Sequence, residues 1–449
     1  MKRIELFALL LLLPAPLAVA QAKPLAPEST STSASSGAFL QLEEILREAL
    51  EKNPEAQSAF HTVKAIELRA PQATALPDPT LAVGWAGNVA PFSIMRGDAS
   101  SYRGLTISEQ FPYPGKRKLR GAMVSKEAEA AQADYEAVRR KVAAEVKAAF
   151  FDYFYFDKAI ETTTRNKQLL EKLSKIAETR YSVGTAMQQD VLRSQLEVAM
   201  LIEKLTMLEQ QRSTAQARIN AYLMRAPDAP LPPVESVEAT TLQYSLDEIN
   251  ALAAANDTTV QRNQRMIERG AMQVELMKKD VRPDFGVSYM YQQRSNQPDM
   301  NGLTFSVNIP IFYKTKQRAE VAEATESLIS TQKMQVSRTH EIHYELHEQY
   351  TMTKATERLI TLYSKGIVPQ ASLALESSIS SYEVGKLDFL SLITNFSTLL
   401  SYETDYYRQV ADHEKAIAQM EMLTGISLTK SPISTVSNAA TTSSAVKEN

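Results

Sequence analysis

The sequence predicts a mainly α-helical chain that carries part of a transmembrane β-barrel. The expected unit is duplicated, with long coiled-coil helices and four β-strands per chain. Three observations lead there: landmarks recur about two hundred residues apart, four short segments alternate with period two, and the segments between them keep a helical period over unusual lengths. At 449 residues, with 44% hydrophobic and 22% charged residues, the chain has the composition of a folded protein. Its 14 glycines are about 3% of the chain against a usual ~7%, which argues against an α/β enzyme built on phosphate-cradling turns. No cysteine is present, which excludes disulfides, thiolate metal sites, cysteine nucleophiles and a lipid anchored on an N-terminal cysteine. A formal charge of −3 supplies no basic field to draw in nucleic acid.

Residues 1–20 read as a secretory signal peptide. Lys2 and Arg3 form a basic start, Phe7 to Leu13 an apolar run, and Ala18-Val19-Ala20 a small-residue cleavage site before Gln21. This segment carries +2 and −1, so the mature chain is −4 (−3 minus +1). Nothing downstream holds 18 consecutive apolar residues, so no transmembrane helix is expected.

The duplication is legible in order along the chain. Leu42-Glu43-Glu44-Ile45 answers to Leu246-Asp247-Glu248-Ile249, and Leu76-Pro77-Asp78 to Arg282-Pro283-Asp284. Leu105-Thr106-Ile107-Ser108 recurs as Leu303-Thr304-Phe305-Ser306, and Tyr181-Ser182-Val183-Gly184 as Tyr382-Glu383-Val384-Gly385. The expected organisation is a linker over 21–40, a first repeat over 41–230, a second over 240–428 and a tail over 429–449. Pro227, Pro230, Pro232 and Pro233 mark the joint between the repeats.

Strands are expected at about 79–88, 102–111, 284–293 and 302–311. In each, apolar or aromatic residues alternate with small or polar ones, as Leu81, Val83 and Trp85 do with Ala82, Gly84 and Ala86. One greasy face and one small polar face suit a wall with lipid outside and water inside. Four strands cannot close such a wall, and an open edge in hydrocarbon costs several kcal/mol per unpaired backbone group. Two chains would give eight strands, whose interior fills with side chains; three give twelve and leave a lumen, so a trimer is expected.

The stretches from Pro114 to Tyr181 and from Phe312 to Tyr382 read as two unbroken helical rods of roughly 100 Å each. Return helices follow each Tyr-x-Val-Gly turn. The first has a stripe at Leu192, Leu196, Ala199, Ile202, Leu205 and Leu208. The second has Leu392, Phe396, Leu399, Tyr406, Val410, His413, Ile417 and Met420, with Glu403 as the exception. A mean period near 3.5 implies coiled-coil packing. The aromatic run Phe150-Phe151-Asp152-Tyr153-Phe154-Tyr155-Phe156 reads as packing between helices.

The order helix, strand hairpin, long helix, Tyr-x-Val-Gly turn, return helix, then all again, resembles the TolC-type outer-membrane efflux factor family across nearly the whole mature chain. The motifs that carry the resemblance are Arg180-Tyr181-Ser182-Val183-Gly184 with Asp190-Val191-Leu192 after it, Tyr382-Glu383-Val384-Gly385, Leu76-Pro77-Asp78-Pro79 and Phe111-Pro112-Tyr113-Pro114-Gly115-Lys116. The last two look like those of the heavy-metal branch. The resemblance implies a homotrimer with a twelve-stranded barrel in the outer membrane of a diderm bacterium and an α-helical tunnel in the periplasm. Its partners would be a periplasmic adaptor (a membrane fusion protein) and an inner-membrane transporter of the RND or ABC type, with outer-membrane lipid around the barrel and no nucleic acid. The function implied is passive export of small molecules or metal ions.

By the same resemblance, the turns dock the adaptor through Arg180, Tyr181, Val183, Gly184, Tyr382, Val384 and Gly385. Asp190 matches the aspartate that narrows the tunnel entrance; the second copy has Ser391 at that place, and Asp388, one turn earlier, is the substitute. His340, His343 and His347 share a helix face at spacings of three and four, with Glu345 and Glu348 nearby, and are a candidate metal cluster beside the reading as a solvated face. Lys116, Arg117, Lys118 and Arg120, and Lys314, Lys316 and Arg318, follow the strands beside Phe111, Tyr113, Phe312 and Tyr313, and read as an interfacial belt. No catalytic constellation, P-loop or dinucleotide fingerprint is found, so no enzyme and no cofactor are expected. Two other readings compete: the outer duct of a type I protein secretion system, and a periplasmic coiled-coil tether without a pore.

Overall fold

The computed structural model describes residues 39–87, 101–294 and 297–429. The expected signal peptide and most of the leading linker and tail lie outside the described residues. The first copy opens with α1 (Leu42–Lys52), α2 (Pro54–Glu67) and α3 (Arg69–Thr74), and the second with α6 (Leu246–Asn256) and α7 (Thr258–Lys279). In each copy a side-chain cap sets where the second of these helices begins. Asn53 accepts from the backbone N–H groups of Glu55 and Ala56 ahead of Pro54, while Asp257 accepts from Val260. Where α7 runs unbroken, its counterpart splits at Leu68. Pro71 explains this, because its ring would strike the carbonyl of Glu67 in a continuous helix.

The strands are β1 (Thr80–Ala86), β2 (Tyr102–Phe111), β3 (Asp284–Arg294) and β4 (Met300–Asn308). They form one antiparallel sheet in chain order, so β2 of the first copy pairs β3 of the second. Residue 88, expected at the end of the first strand, lies outside the described residues.

The helical part is dominated by α4 (Lys116–Ser182), whose 67 residues span about 100 Å. It returns through α5 (Gln188–Tyr222). The second copy departs from the expected unbroken rod. It consists of α8 (Gln317–Leu362), a π-helical turn at Tyr363–Ile367 and α9 (Val368–Glu383), before α10 (Phe389–Thr424) returns. The expectation overlooks Pro369, which cannot donate to the helix ladder and crowds the carbonyl of Lys365; the wider π turn, with Gly366 inside it, absorbs the misfit.

Three buried clusters run along the rods. Near the interrepeat joint, Phe150, Phe151, Tyr153 and Phe154 of α4 pack on Ile219, Leu223, Leu231, Val234 and Val410, so the aromatic run is interhelical core. A second cluster holds Leu242, Ile249, Ile342, Leu346 and Met420, and a third, toward the hairpin turns, holds Leu170, Leu173, Leu375, Phe389 and Phe396. The stripe expected on α10 is largely buried; Glu403 is tolerated in it because Arg165 and Asn166 donate to its two carboxylate oxygens. On α5 the stripe turns out otherwise. The buried positions include Ser194, Leu201, Leu208 and Ala215, at heptad spacing, while Leu192, Leu196 and Ile202 face outward. Only Leu208 of the expected set is buried, because the helix packs on α4 by a different seam.

The joint between the copies is fastened to α10 by polar contacts. The backbone N–H and hydroxyl of Thr240 donate to Glu414 Oε1 at 2.7 and 2.9 Å. The carbonyl of Thr240 lies 2.7 Å from Nε2 of the buried His413, whose Nδ1 is 3.1 Å from the Thr356 hydroxyl. Burial pushes the Glu414 carboxyl above the usual carboxylate range, against the two bonds from Thr240 that favour its charge. A raised folded-state value means the native chain holds more protons than the unfolded one, so this residue's stabilising contribution is present at low pH and lost as pH rises through the raised value. We expect Glu414→Gln, which keeps the acceptor, to flatten that part of the thermal-stability profile between pH 4 and neutrality. Glu414→Ala, which strands the Thr240 donors, should lower stability by about 1–3 kcal/mol. Circular-dichroism melts across pH would check both, and a Gln variant with the parent's slope would exclude this role.

Candidate functional site

The ends of the molecule carry the features that call for function. At one end, the register of the sheet sorts side chains onto two faces. Leu81 opposes Ile107, Val83 opposes Leu105, Ile107 opposes Tyr289, and Tyr289 opposes Leu303, all on one face. Thr80, Ser108, Ser288 and Thr304, with Ala82, Thr106, Gly84 and Gly104, occupy the other. Among the described residues nothing covers the apolar face: Val83 is 79% exposed, Phe305 73% and Leu81 66%. Among the described residues, strands β1 and β4 each have one outer edge without a strand partner. The sheet is therefore an arc of wall rather than a closed body.

Below it sits the junction with the rods, and there the expectation of a basic belt needs correcting for Lys116. This residue is 2% exposed. Its Nζ lies 2.8 Å from Asp284 and 3.1 Å from Asp280, and it also donates to the carbonyl of Arg282. Asp284 in turn accepts from the backbone N–H of Tyr113 at 2.6 Å. Arg117 donates to the carbonyl of Thr74. Two acidic neighbours make burial of the ammonium possible, so the first residue of the motif is a structural pin. Phe312, Tyr313 and Lys314 of the second copy are exposed.

At the far end, both helix hairpins close with the same cap. Gly184 and Gly385 take φ of +75° and +74°. Gly184 N–H donates to the carbonyl of Tyr181 and Thr185 N–H to that of Arg180; Gly385 and Lys386 repeat this with Tyr382 and Ser381. These paired bonds are the Schellman closure of a helix, which needs a left-handed residue after the last turn. The turns are joined by Arg180. Its guanidinium lies 4.7 Å from the Tyr382 ring centroid and donates to the Tyr382 carbonyl and to that of Thr185.

The residues expected to meet an adaptor thus divide. Tyr181, Val183, Gly184, Val384 and Gly385 are exposed at the turns. Tyr382 is buried, with its ring against Phe389, and supports the turn from within. Asp190 stands in the first turn of α5, half-buried, where the helix dipole favours an anion. Burial and the nearby Asp190 charge push the Tyr382 hydroxyl upward, and that hydroxyl has no hydrogen-bond partner among the described residues. Asp388 is the N-cap of α10: it accepts from the backbone N–H of Ser391 at 3.0 Å and from its hydroxyl at 2.7 Å. The bonds from Ser391 hold its carboxyl below the usual range.

His340, His343 and His347 lie exposed on α8. Seven residues separate the first from the last, about 10.5 Å along the helix, which is too far for one ion to take all three at bonds near 2 Å. Among the described residues no group of three His, Asp or Glu side chains could hold a metal ion. Sequence reasoning misses the Lys116–Asp284 pin and the contacts of Thr240, His413 and Glu414. The pin has a signal: Lys-x-Lys-x-Arg follows a strand in each copy, at Lys116 and Lys314, and an aspartate stands at or just before the start of a strand in each, at Asp284 and Asp78.

Comparison with known proteins fits this geometry. Residues 45–223 match the family model described as outer membrane efflux protein. No curated protein matches the chain. Among solved structures, the outer membrane protein VceC of Vibrio cholerae is similar with a TM-score of 0.73 at 18% identity, covering 86% of this chain and 96% of that one. CusC, whose structures concern transmembrane channel formation, gives 0.74 at 13% identity over 91% and 99%. The open-state MtrE outer membrane channel of Neisseria gonorrhoeae gives 0.65 at 17% identity over 86% and 89%.

The bridging role of Arg180 has a direct check. Arg180→Gln removes the guanidinium from the Tyr382 ring, and we expect faster amide hydrogen exchange at residues 181–187 and 382–388, with the rods unchanged. Exchange that stays at parental rates in both turns would show that the turns hold without the bridge.

Proposed function

We infer that this chain is an outer membrane efflux protein, one protomer of an export channel whose sheet sits in the outer membrane and whose rods stand in the periplasm. The observation that carries this is the uncovered apolar face of a sheet whose two edges await strands. In water such a face would be a large aggregation surface, and in hydrocarbon the open edges would strand backbone groups. Closure with further copies answers both demands. Three protomers of four strands supply twelve, enough for a wall around an aqueous bore, with the small and polar face inward. Among the described residues no helix is long and apolar enough to cross a membrane, so the sheet is what meets lipid.

The rods extend the bore as a tunnel. The apolar stripe left outside on α5, at Leu192, Leu196, Met200 and Ile202, gives a neighbouring copy a surface to cover. The exposed turn residues Tyr181, Val183 and Val384 offer the docking surface for a periplasmic adaptor, which would connect the channel to an inner-membrane transporter. Asp190 stands just behind the turn and is the proposed narrowing of the entrance; Asp388, engaged with Ser391, contributes charge beside it. The channel moves its cargo, small molecules or metal ions, without energy of its own.

Three experiments test this. In planar bilayers the purified protein should conduct as a detergent-stable trimer with heat-modifiable mobility on gels. A monomer that dissolves without detergent and does not conduct would overturn the reading. Asp190→Ala should raise conductance and weaken cation preference; unchanged values would remove Asp190 from the entrance. Gly184→Val and Gly385→Val force a branched side chain into the left-handed region, at about 1–2 kcal/mol each. We expect both to leave the trimer and its conductance intact while lowering export in cells several-fold, and normal export from a folded trimer would exclude docking at these turns.

A further inference from the structure

The Lys116 pin joins the end of the first copy's second strand to the start of the second copy's first strand, and the duplication gives the chain a second set of the same parts. Lys116 maps to Lys314 and Tyr113 to Ile311 at an offset of 198; Asp284 maps to Asp78 at 206. Within one protomer those mapped parts are apart. Lys314 and Asp78 are both exposed, and neither has an ion pair among the described residues. They sit on the two strands with open edges, Lys314 just beyond β4 and Asp78 just before β1.

We propose that Lys314 pins Asp78 of a neighbouring copy, repeating between subunits the buried ion pair that Lys116 makes with Asp284 within one, and that this fixes the register of β4 on the neighbour's β1. The inference rests on the trimeric channel reading and specifies its seam. Applying the same offsets to the β2–β3 ladder turns Glu109 opposite Val287 into Val307 opposite Leu81. Ile107 opposite Tyr289 becomes Phe305 opposite Val83, and Leu105 opposite Tyr291 becomes Leu303 opposite Trp85. These three pairs place apolar on apolar, on the face proposed to meet lipid, and the same offsets leave Ser306 with Ala82 and Thr304 with Gly84 on the polar face. A register slipped by one residue would put Val307 on the polar face of the seam.

The copied pin is weaker than the original. Thr74 stands where Asp280 would be, so Lys314 meets one carboxylate instead of two, and Thr315 stands where Arg117 donates to Thr74. The approach differs too. Gly115, at φ +92°, lets α4 begin at Lys116, whereas Tyr313 occupies the equivalent place and α8 begins only at Gln317. Lys314 thus reaches its partner from a turn, on a longer tether.

Since the chain has no cysteine, introduced pairs report on the seam alone. A disulfide needs Cβ atoms about 3.5–4.5 Å apart, close to the spacing of directly opposed residues and well short of the diagonal. In the full-length protein, Leu81→Cys with Val307→Cys should give covalent dimers and trimers on oxidation; Leu81→Cys with Phe305→Cys or with Ile309→Cys should not. Separately, Asp78→Lys and Lys314→Asp should each lower the temperature at which the trimer dissociates, and the double exchange should restore most of the loss. Lys316→Asp, whose counterpart Lys118 makes no ion pair among the described residues, should have no such rescue by Asp78→Lys. A conducting trimer that cross-links through 305 or 309, through none of the pairs, or whose charge exchange restores nothing, overturns the seam and leaves the channel standing. A non-conducting monomer overturns both.

Discussion

Backbone hydrogen bonding at two strand edges governs the rest of this molecule. Each interior ladder, from β1 through β4, is closed within the chain, but among the described residues the outer edges of β1 and β4 are open. A soluble protein would blunt such edges with charge, proline or a covering helix. Here the strands beside the open edges present Leu81, Val83, Leu303 and Phe305 outward, so the environment they suit is one that forbids unpaired backbone groups altogether. The edges and the face are only compatible if strands from other copies complete the ladder. On the proposed reading, that single requirement makes the protomer a sector and the long rods below it staves of a common tube.

Duplication is an economical way to make a sector, but the two copies are not equal. The first has Gly115 at the turn into its rod and an unbroken α4; the second has Tyr313 there, a later helix start and the π turn ahead of Pro369. The opening helices differ in the opposite sense, with Pro71 splitting the first copy and α7 running whole in the second. Each difference traces to one residue whose backbone demands cannot be met by the helix that its counterpart forms. The shared parts, by contrast, are those that both copies build alike: a two-stranded hairpin, a helix cap on a left-handed glycine, and a return helix.

The architecture is legible in the sequence because its signals are periodic and repeated. Alternation in 284–293 survives any error of a residue or two at the ends, and the Tyr-x-Val-Gly turns announce themselves twice. What escapes reading is pairwise. Lys116 looks like one more cation in a basic run, since nothing in its neighbourhood of the chain shows that Asp280 and Asp284 will close on it from more than 160 residues away. The α5 stripe at Leu192, Leu196 and Ile202 is apolar as the sequence says, but α4 does not cover it, because periodicity tells which residues share a face and not which helix packs there. Tyr382 reads as surface for the same reason its cap reads correctly: the motif fixes the backbone, while burial depends on Arg180 and Phe389.

The polar contacts inside the rods answer a problem that apolar packing creates. Heptad stripes adhere well, yet a rod of 67 residues offers nearly equivalent alignments one heptad apart, and sliding by seven residues costs little apolar area. A buried polar group has no such tolerance, because displacing it by a heptad leaves a donor or acceptor unpaired at about 1–3 kcal/mol. Arg165 and Asn166 on Glu403 set the register of α4 on α10 in the part of the rod nearer the turns. Thr240 on His413 and Glu414 sets the joint between copies, and Arg180 on Tyr382 sets one hairpin turn against the other. With Lys116 fixing the sheet end, registers are set at the top, middle and tip of the protomer. The turns are therefore carried at a defined distance from the sheet, at the far end of the rods.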